Sequence, residues 1–299
     1  MISVIISAHD RKKYLLNAIK SVIHQTLDPN KYEIIVVKNF NDEVIDGYIQ
    51  TNGITSIYTN EATLSGKIIE GLKVCKYDII SFLDDDDIFF ENKLKRISEE
   101  FSKDNCIYIH NDIQAINDGG DFIYFKDNRT SFNMSSISVK KEIIKIDILK
   151  ESPFNLDSLM YAFALEFGGK TKDLTDKLTY YRVHYSVTHI FADFEEYKSF
   201  YVNSVERSLK AYNSIFKSFS SKNATDFLKH EISFLEIRLK IYKGDKIYMK
   251  EYIQFLLTGH LFKNTRFEYK LVIGSIIFRK SIVKKLFRNE LNKINKTID

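Results

Sequence analysis

Within the first 90 residues, short apolar runs alternate with segments whose apolar residues recur at helical spacing. ISVIISA (2–8), YEIIVVK (32–38), ITSIYT (54–59) and YDIISFL (77–83) read as strands. The first, second and fourth are nearly continuous in apolar residues, as strands buried on both faces are. Between them, Leu15, Leu16, Ile19, Val22 and Ile23 fall at helical spacing, and NDEVIDGYIQ reads as a short helix. Ile68, Ile69, Leu72 and Val74 mark another helix, with Gly71 inside it. Such alternation with short connections requires right-handed crossovers and a largely parallel sheet covered by helices on both faces. The expected fold class is therefore α/β, a mixed, mostly parallel Rossmann-like sheet.

The alternation then changes. CIYIHNDIQAI (106–116) and DFIYFK (121–126) flank NDGGD, which reads as a hairpin turn. Residues 155–168 read as a helix and KLTYYRVHYSVTH (177–189) as a strand with a polar exit. Beyond residue 191 the spacing is helical to the end, with Gly244 as a stop and Asp245 as the next N-cap. The expected organisation is a sheet domain over 1–190 and an all-helical region over 191–299.

With 44% apolar and 28% charged residues, the chain is globular rather than disordered. Its two cysteines, Cys75 and Cys106, lack metal-ligand spacing and read as reduced thiols of a cytoplasmic protein. No basic leader precedes the first strand. The apolar run LVIGSIIF (271–278) is far short of the roughly 20 residues that span a bilayer. Of the net charge of +4, the segment 261–299 carries +7 and the remainder −3. No nucleic-acid partner is expected.

The stretch SFLDDDDIFFENKL (81–94) carries the chemistry. Ligands of open α/β sheets bind beyond the carboxyl ends of the strands, and four aspartates, Asp84 to Asp87, stand at such an end. Adjacent carboxylates repel one another unless a cation or several donors offset them. Oxygen ligands of this kind suit Mg²⁺ or Mn²⁺. The plainer alternative is a solvated acidic turn capping a helix that begins near Phe90.

Taken together, SVIISAHDRKKYLLNAIKSVIHQTL, YEIIVV and YDIISFLDDDD resemble a family 2 glycosyltransferase of the GT-A fold, over about residues 2–190. The resemblance implies a nucleotide-sugar donor, UDP-linked by preference, and a divalent cation, Mn²⁺ or Mg²⁺. It implies that Asp86 binds the metal and that Asp84, with Asp85, lies beside the nucleotide sugar. Asp157, in FNLDSLMYAF, stands where the family carries its catalytic base; as a lone Asp before an apolar helix it also fits an N-cap. YYRVHYSVTH resembles the family's Tyr-Arg-x-His-x-x-Ser segment, so His184 would reach the metal and Arg182 would offset phosphate charge. Ala8, His9 and Asp10 occupy the loop that packs on the base.

The chain also departs from the family pattern. Lys38–Asn39–Phe40 replaces the usual pair of aspartates after the second strand, leaving Asn39 to read the base edge through its donor and acceptor. LSGKIIEG (64–71) replaces Ala-Arg-Asn-x-Gly: Gly71 aligns, and Lys67 is the basic residue offered to the phosphates. The implied reaction is an inverting transfer to a hydroxyl of a glycan or lipid-linked glycan. The alternative reading is a non-catalytic nucleotide-sugar-binding or membrane-docking module on the same scaffold. In the tail, Phe267, Leu271, Ser275, Phe278, Ile282 and Leu286 form an apolar row and Lys280, Lys284 and Arg288 a basic one. That pattern suits an anionic membrane surface on the inner face of the cell membrane, or packing within the helical region or a homo-oligomer.

Overall fold

In a computed structural model, the residues described are 1–103, 105–123, 133–152, 155–183, 191, 193–259, 266–278 and 281–288. The chain forms two compact units, Met1–Val183 and His184–Asp299.

The first unit holds strands β1 (Ile2–Ala8), β2 (Tyr32–Lys38), β3 (Thr55–Tyr58), β4 (Ile79–Asp84), β5 (Ile88–Phe89), β6 (Cys106–Ile116), β7 (Ile137–Lys140) and β8 (Lys170–Arg182). Its helices are α1 (Leu15–Ile23), α2 (Glu43–Thr51), α3 (Leu64–Val74), α4 (Lys93–Lys103), α5 (Ile146–Glu151) and α6 (Leu156–Phe167). One sheet runs in the order β3-β2-β1-β4-β7-β6-β8-β5. The first four strands in that order are parallel, as are β6 and β8, while β7 and β5 pair antiparallel with their neighbours. This is the mixed, mostly parallel sheet expected from the sequence.

The apolar runs explain the core. Ile2, Val4, Ile5 and Ile6 of β1 are all buried, because α1 and α3 cover the sheet. A Cβ at Gly71 would stand only 2.9 Å from Ile5, so this glycine lets α3 lie close on β1. Register sets the site: Ala8 pairs with Lys38 and Ser7 with Asp84. The loops after β1, β2 and β4 therefore leave the sheet at one edge.

Several expectations need correction. Two strands were not read from the sequence: β5 has only two residues and β7 only four, too short to show a period. Because Ile88 and Phe89 first pair with β8, the next helix begins at Lys93 rather than near Phe90. Strand β8 starts at Lys170, seven residues earlier than expected. After the 117–121 turn, Phe122 bridges back to Ile116; residues 124–126 of the expected return strand lie outside the described residues.

The second unit holds α7 (Phe194–Ile215), α8 (Lys222–Lys243), α9 (Met249–Gly259), α10 (Arg266–Phe278) and a helix over 281–288. Gly244, at φ 77°, ends α8, and the Asp245 N–H closes on the Lys240 carbonyl. Asp245 is not an N-cap, since α9 starts four residues later. Aromatic pairs join α7 to α8 and to 281–288, including Tyr201 stacked on Tyr242 at 5.2 Å and Tyr197 against Phe287 at 5.1 Å. Among the described residues, no helix is long and apolar enough to cross a membrane.

Gly71→Val should lower stability by about 1–3 kcal/mol, the usual range for overpacking, read as a lower melting temperature. An unchanged melting temperature would show that β1 and α3 need no glycine there.

Candidate active site

The acidic turn begins where β4 ends. The Asp87 N–H donates to the Asp84 carbonyl at 3.2 Å, which tightens the chain and sends alternate carboxylates to different places. Asp85 and Asp87 are 2% and 1% exposed, whereas Asp84 and Asp86 are partly open. The buried pair anchors the turn. Asp85 Oδ2 accepts the His9 N–H at 3.2 Å, and its Oδ1 lies 2.8 Å from Arg11 Nη2. Asp87 Oδ1 accepts the Arg182 N–H at 2.9 Å. The Asp84 N–H donates to Ser135 Oγ at 3.0 Å.

Arg182 ties this turn to the next loop. Its Nε donates to the Asp86 carbonyl and its Nη1 to the carbonyls of Asn117 and Asp118, each at 3.0 Å. The guanidinium lies over the Tyr14 ring at 4.6 Å. These donors serve backbone carbonyls rather than projecting toward solvent, so the geometry assigns Arg182 to positioning. Beneath the turn, buried Lys93 donates to the Ser135 carbonyl and Thr179 Oγ1, with its ammonium 3.9 Å from the Phe89 ring centre.

Charge is incompletely balanced here. Burial pushes the Asp84 carboxyl well above its ordinary range, and Asp87, Asp86 and Asp85 push it further. Burial, with Asp86 beside it, raises Asp87 to about 7. Burial lowers Lys93 well below a normal lysine, with Asp87 opposing. Burial also works against the Arg11 charge, but Asp85, Asp86 and Asp84 outweigh it and strengthen the guanidinium's hold on its proton. Arg11 Nη1 lies 2.7 Å from Asp86 Oδ2. Carboxyls raised first by burial and then by one another would gain from an added positive charge. Hard oxygen donors take that charge from Mg²⁺ or Mn²⁺, so the residues fit such an ion. Among the described residues, no three acidic, histidine or cysteine side chains form a ready-made cage. Mg²⁺ in particular usually completes its shell with water and substrate phosphates.

The loop after β1 closes one side. Asp10, in the left-handed region at φ 55°, donates its N–H to Asn39 Oδ1 at 2.9 Å, and Asn39 Nδ2 returns a bond to Asp10 Oδ1 at 2.8 Å. Both ends of the Asn39 amide thus engage Asp10. Buried Lys38 turns inward to the Phe40 carbonyl and Asp46. Lys67 is buried rather than solvated: its Nζ lies 2.8 Å from His9 Nδ1 and donates to the Glu61 carbonyl at 2.7 Å. Ala8 is wholly buried, as the last residue of β1.

Asp157 is not an N-cap. It lies in the first turn of α6, whose cap is Asn155 at φ 54°, and its Oδ1 accepts the Ser158 N–H at 2.8 Å. Burial raises its pKa, opposed by backbone N–H groups and by His110. Tyr181 is within electrostatic range of both Asp157 and the acidic turn. That phenol is raised to about 12 by burial, then by the charges of Asp87, Asp86, Asp84 and Asp157. One hydroxyl therefore feels both the acidic turn and the carboxylate on α6.

The structure accordingly brings Ala8, His9, Asp10, Asn39, Lys67 and Asp84–Asp86 to one sheet edge, with Arg182 bracing the turn and Asp157 sharing Tyr181 as a neighbour. His184 lies outside the described residues. Arg11, Lys93, Ser135 and Tyr181 were missed by the sequence reading. Arg11, Lys93 and Tyr181 had a signal, since each stands inside a quoted motif, and Ser135 had none.

Residues 3–161 match the family described as Glycosyl transferase family 2, and the chain belongs to that family. An uncharacterized glycosyltransferase of Nostoc sp. is 28% identical over 221 residues, covering 64% of this chain and 67% of its own. The O-antigen biosynthesis glycosyltransferase WbnJ of Escherichia coli is 30% identical over 129 residues, covering 41% and 50%. A Rickettsia bellii glycosyltransferase, 28% identical over 55% of this chain, is matched along only 23% of its length. The chain thus spans between about a quarter and two thirds of these relatives. Among solved structures, Staphylococcus aureus TarS 1–349 in complex with UDP-GlcNAc superposes with a TM-score of 0.58 at 14% identity, covering 96% of this chain and 91% of that one. The mannosyltransferase PcManGT of Pyrobaculum calidifontis, in complex with GDP-Man and Mn²⁺, gives 0.56 at 9% identity, covering 98% and 80%. At these identities the likeness concerns the fold.

Arg182→Ala should cost about 1–3 kcal/mol, because it removes three hydrogen bonds that tie the acidic turn to the 117–118 loop. Arg182→Lys should not restore the loss, since one ammonium cannot span three carbonyls on two loops. Full recovery of the melting temperature by lysine would contradict the tethering role.

Proposed function

We propose that the chain transfers a sugar from a nucleotide-sugar donor, UDP-linked by preference, to a hydroxyl of a glycan or lipid-linked glycan, with inversion. The observation that carries this reading is the acidic turn at the carboxyl end of β4, where Arg11 bridges Asp85 and Asp86. Family membership and neighbours solved with UDP-GlcNAc and with GDP-Man and Mn²⁺ support it. The O-antigen relative supports a glycan acceptor. The chain would work in the cytoplasm, at the inner face of the cell membrane.

Asp86, with His184, would hold Mg²⁺ or Mn²⁺, and Asp84 and Asp85 would order the donor side. When bound, such an ion supplies Lewis-acid neutralisation of charge on the departing diphosphate. Arg11 is 46% exposed on its side chain, and is placed to exchange Asp86 for a phosphate oxygen. Lys67 adds a second cation behind His9. His9, Asp10 and Asn39 form the wall offered to the base, with Ala8 buried behind them. On the acceptor side, Asp157 takes the hydroxyl proton as that oxygen bonds to the anomeric carbon. The bond from that carbon to the diphosphate breaks, and its electron pair leaves with the diphosphate. One displacement of this kind inverts the centre.

A base must be ionised to work, and burial raises Asp157. The acidic limb of transfer should therefore lie above the ordinary carboxylate range, activity falling as pH drops through the raised pKa. Asp157→Asn should keep donor binding and lower transfer at least about a hundredfold. Turnover would be measured with UDP-, GDP-, CMP- and dTDP-linked sugars, with and without Mn²⁺. Wild-type turnover in Asp157→Asn would remove this carboxylate from the mechanism, and no turnover of any donor would sink the reading.

A further inference from the structure

The second unit carries an apolar surface that its own packing leaves uncovered. Helix α9 carries one wide apolar arc, of which only one flank is buried. Tyr252 and Phe255 turn inward, where Phe255 stacks on His230 at 4.9 Å and meets Tyr269 at 5.2 Å. Met249, Ile253, Leu256 and Leu257, at i, i+4, i+7 and i+8, form the other flank and remain exposed, Met249 by 69% and Leu257 by 65%. A contiguous exposed apolar flank of this kind marks an interaction surface.

Helix α10 extends this surface. Leu271, Val272 and Ser275 face inward, and Ile273 and Ile276 face out. Tyr252 Oη lies 3.2 Å from Ser275 Oγ, which holds α10 beside α9. Met249 and Ile276 line one cleft of about 460 Å³, with Lys246 at its rim.

This corrects the face expected from sequence. Leu271, Ser275 and Ile282 are buried, and a Cβ at Gly274 would stand 2.9 Å from Ile282. That row holds α10 against 281–288. The side chains of Phe267 and Phe278 lie outside the described residues, and Leu286 is half-buried.

We propose that the outward face of α9 and α10 docks on an anionic lipid bilayer. Charge selects this occupant. The outward side chains of α9 carry one charge, Lys250, and those described on α10 carry one, Lys270. The only acid of α9, Glu251, is turned to Lys240. On 281–288 the exposed residues are Ser281, Lys284, Lys285 and Arg288. The described outward side chains of α9 and α10 are aliphatic apart from Gln254, Lys250 and Lys270, and at the adjoining cleft Asp245 stands against Lys246, a balance that matches an anionic interface. A second copy placing the same face opposite would bring like charges together. The role in acceptor delivery rests on the transfer reading, but binding itself does not.

The test is co-sedimentation of the full chain with vesicles of phosphatidylcholine alone or mixed with phosphatidylglycerol, at low and high salt. The wild-type chain should bind the mixed vesicles, more weakly at high salt. Ile253→Glu with Leu257→Glu should lower that affinity about tenfold or more, since two exposed aliphatic anchors are lost. Melting temperature and donor turnover without vesicles should stay unchanged, which keeps this test separate from that of the transfer reaction. Lys250→Glu with Lys270→Glu should remove the preference for phosphatidylglycerol. Failure of the wild-type chain to bind mixed vesicles, or equal binding by the Ile253/Leu257 variant, would overturn the proposal. So would a wild-type dimer, seen by light scattering, that the same variant dissolves.

Discussion

Four consecutive carboxylates at the end of a buried strand repel one another, and the first unit is arranged around containing that repulsion. Arg11 bridges Asp85 and Asp86, Arg182 holds the backbone carbonyl of Asp86 and the carboxylate of Asp87, and Lys93 lies buried underneath. Register makes this possible, because β1, β2 and β4 end together and deliver the 9–11 loop beside the turn. Containment remains incomplete: Asp84 and Asp87 still favour protons more than free carboxylates do. Under the proposed function, a site that retains its shape in this way would need little rearrangement for a cation and its phosphate ligand.

Much of the scaffold was legible because buried strands are nearly continuous in apolar residues. Runs such as ISVIISA and YEIIVVK have few other readings, and both became central strands. Strands β5 and β7 were not legible, since two and four residues carry no period. The carboxylates could be read because four in a row are hard to explain as a cap. Their supports could not. The tasks of Lys93 and Ser135 depend on α4, β8 and the turn before β7 meeting in space, which no local pattern encodes. Asn39 shows the same limit: its amide was legible as a donor and an acceptor, but its engagement of Asp10 was not.

The helical unit shows a different limit. Spacing reveals that an apolar row exists but not which row finds a partner inside the protein. The row through Leu271, Ser275 and Ile282 is the more regular in sequence, and it is buried. The row through Met249, Ile253, Leu256 and Leu257 shares its helix with the inward-facing Tyr252 and Phe255, and only the packing shows which side remains open. Its surroundings are basic, in keeping with the surplus of positive charge over 261–299.

The central claim is that the acidic turn is a cation-dependent diphosphate site held ready by the surrounding arginines and backbone donors. Isothermal titration of UDP into the protein, with and without Mn²⁺, compared between the wild-type chain and Asp86→Asn, tests it most directly. The account predicts tight UDP binding to the wild-type chain only with Mn²⁺. In Asp86→Asn the gain from Mn²⁺ should disappear while the melting temperature holds. UDP binding that is equal with and without Mn²⁺, and indifferent to Asp86→Asn, would contradict it.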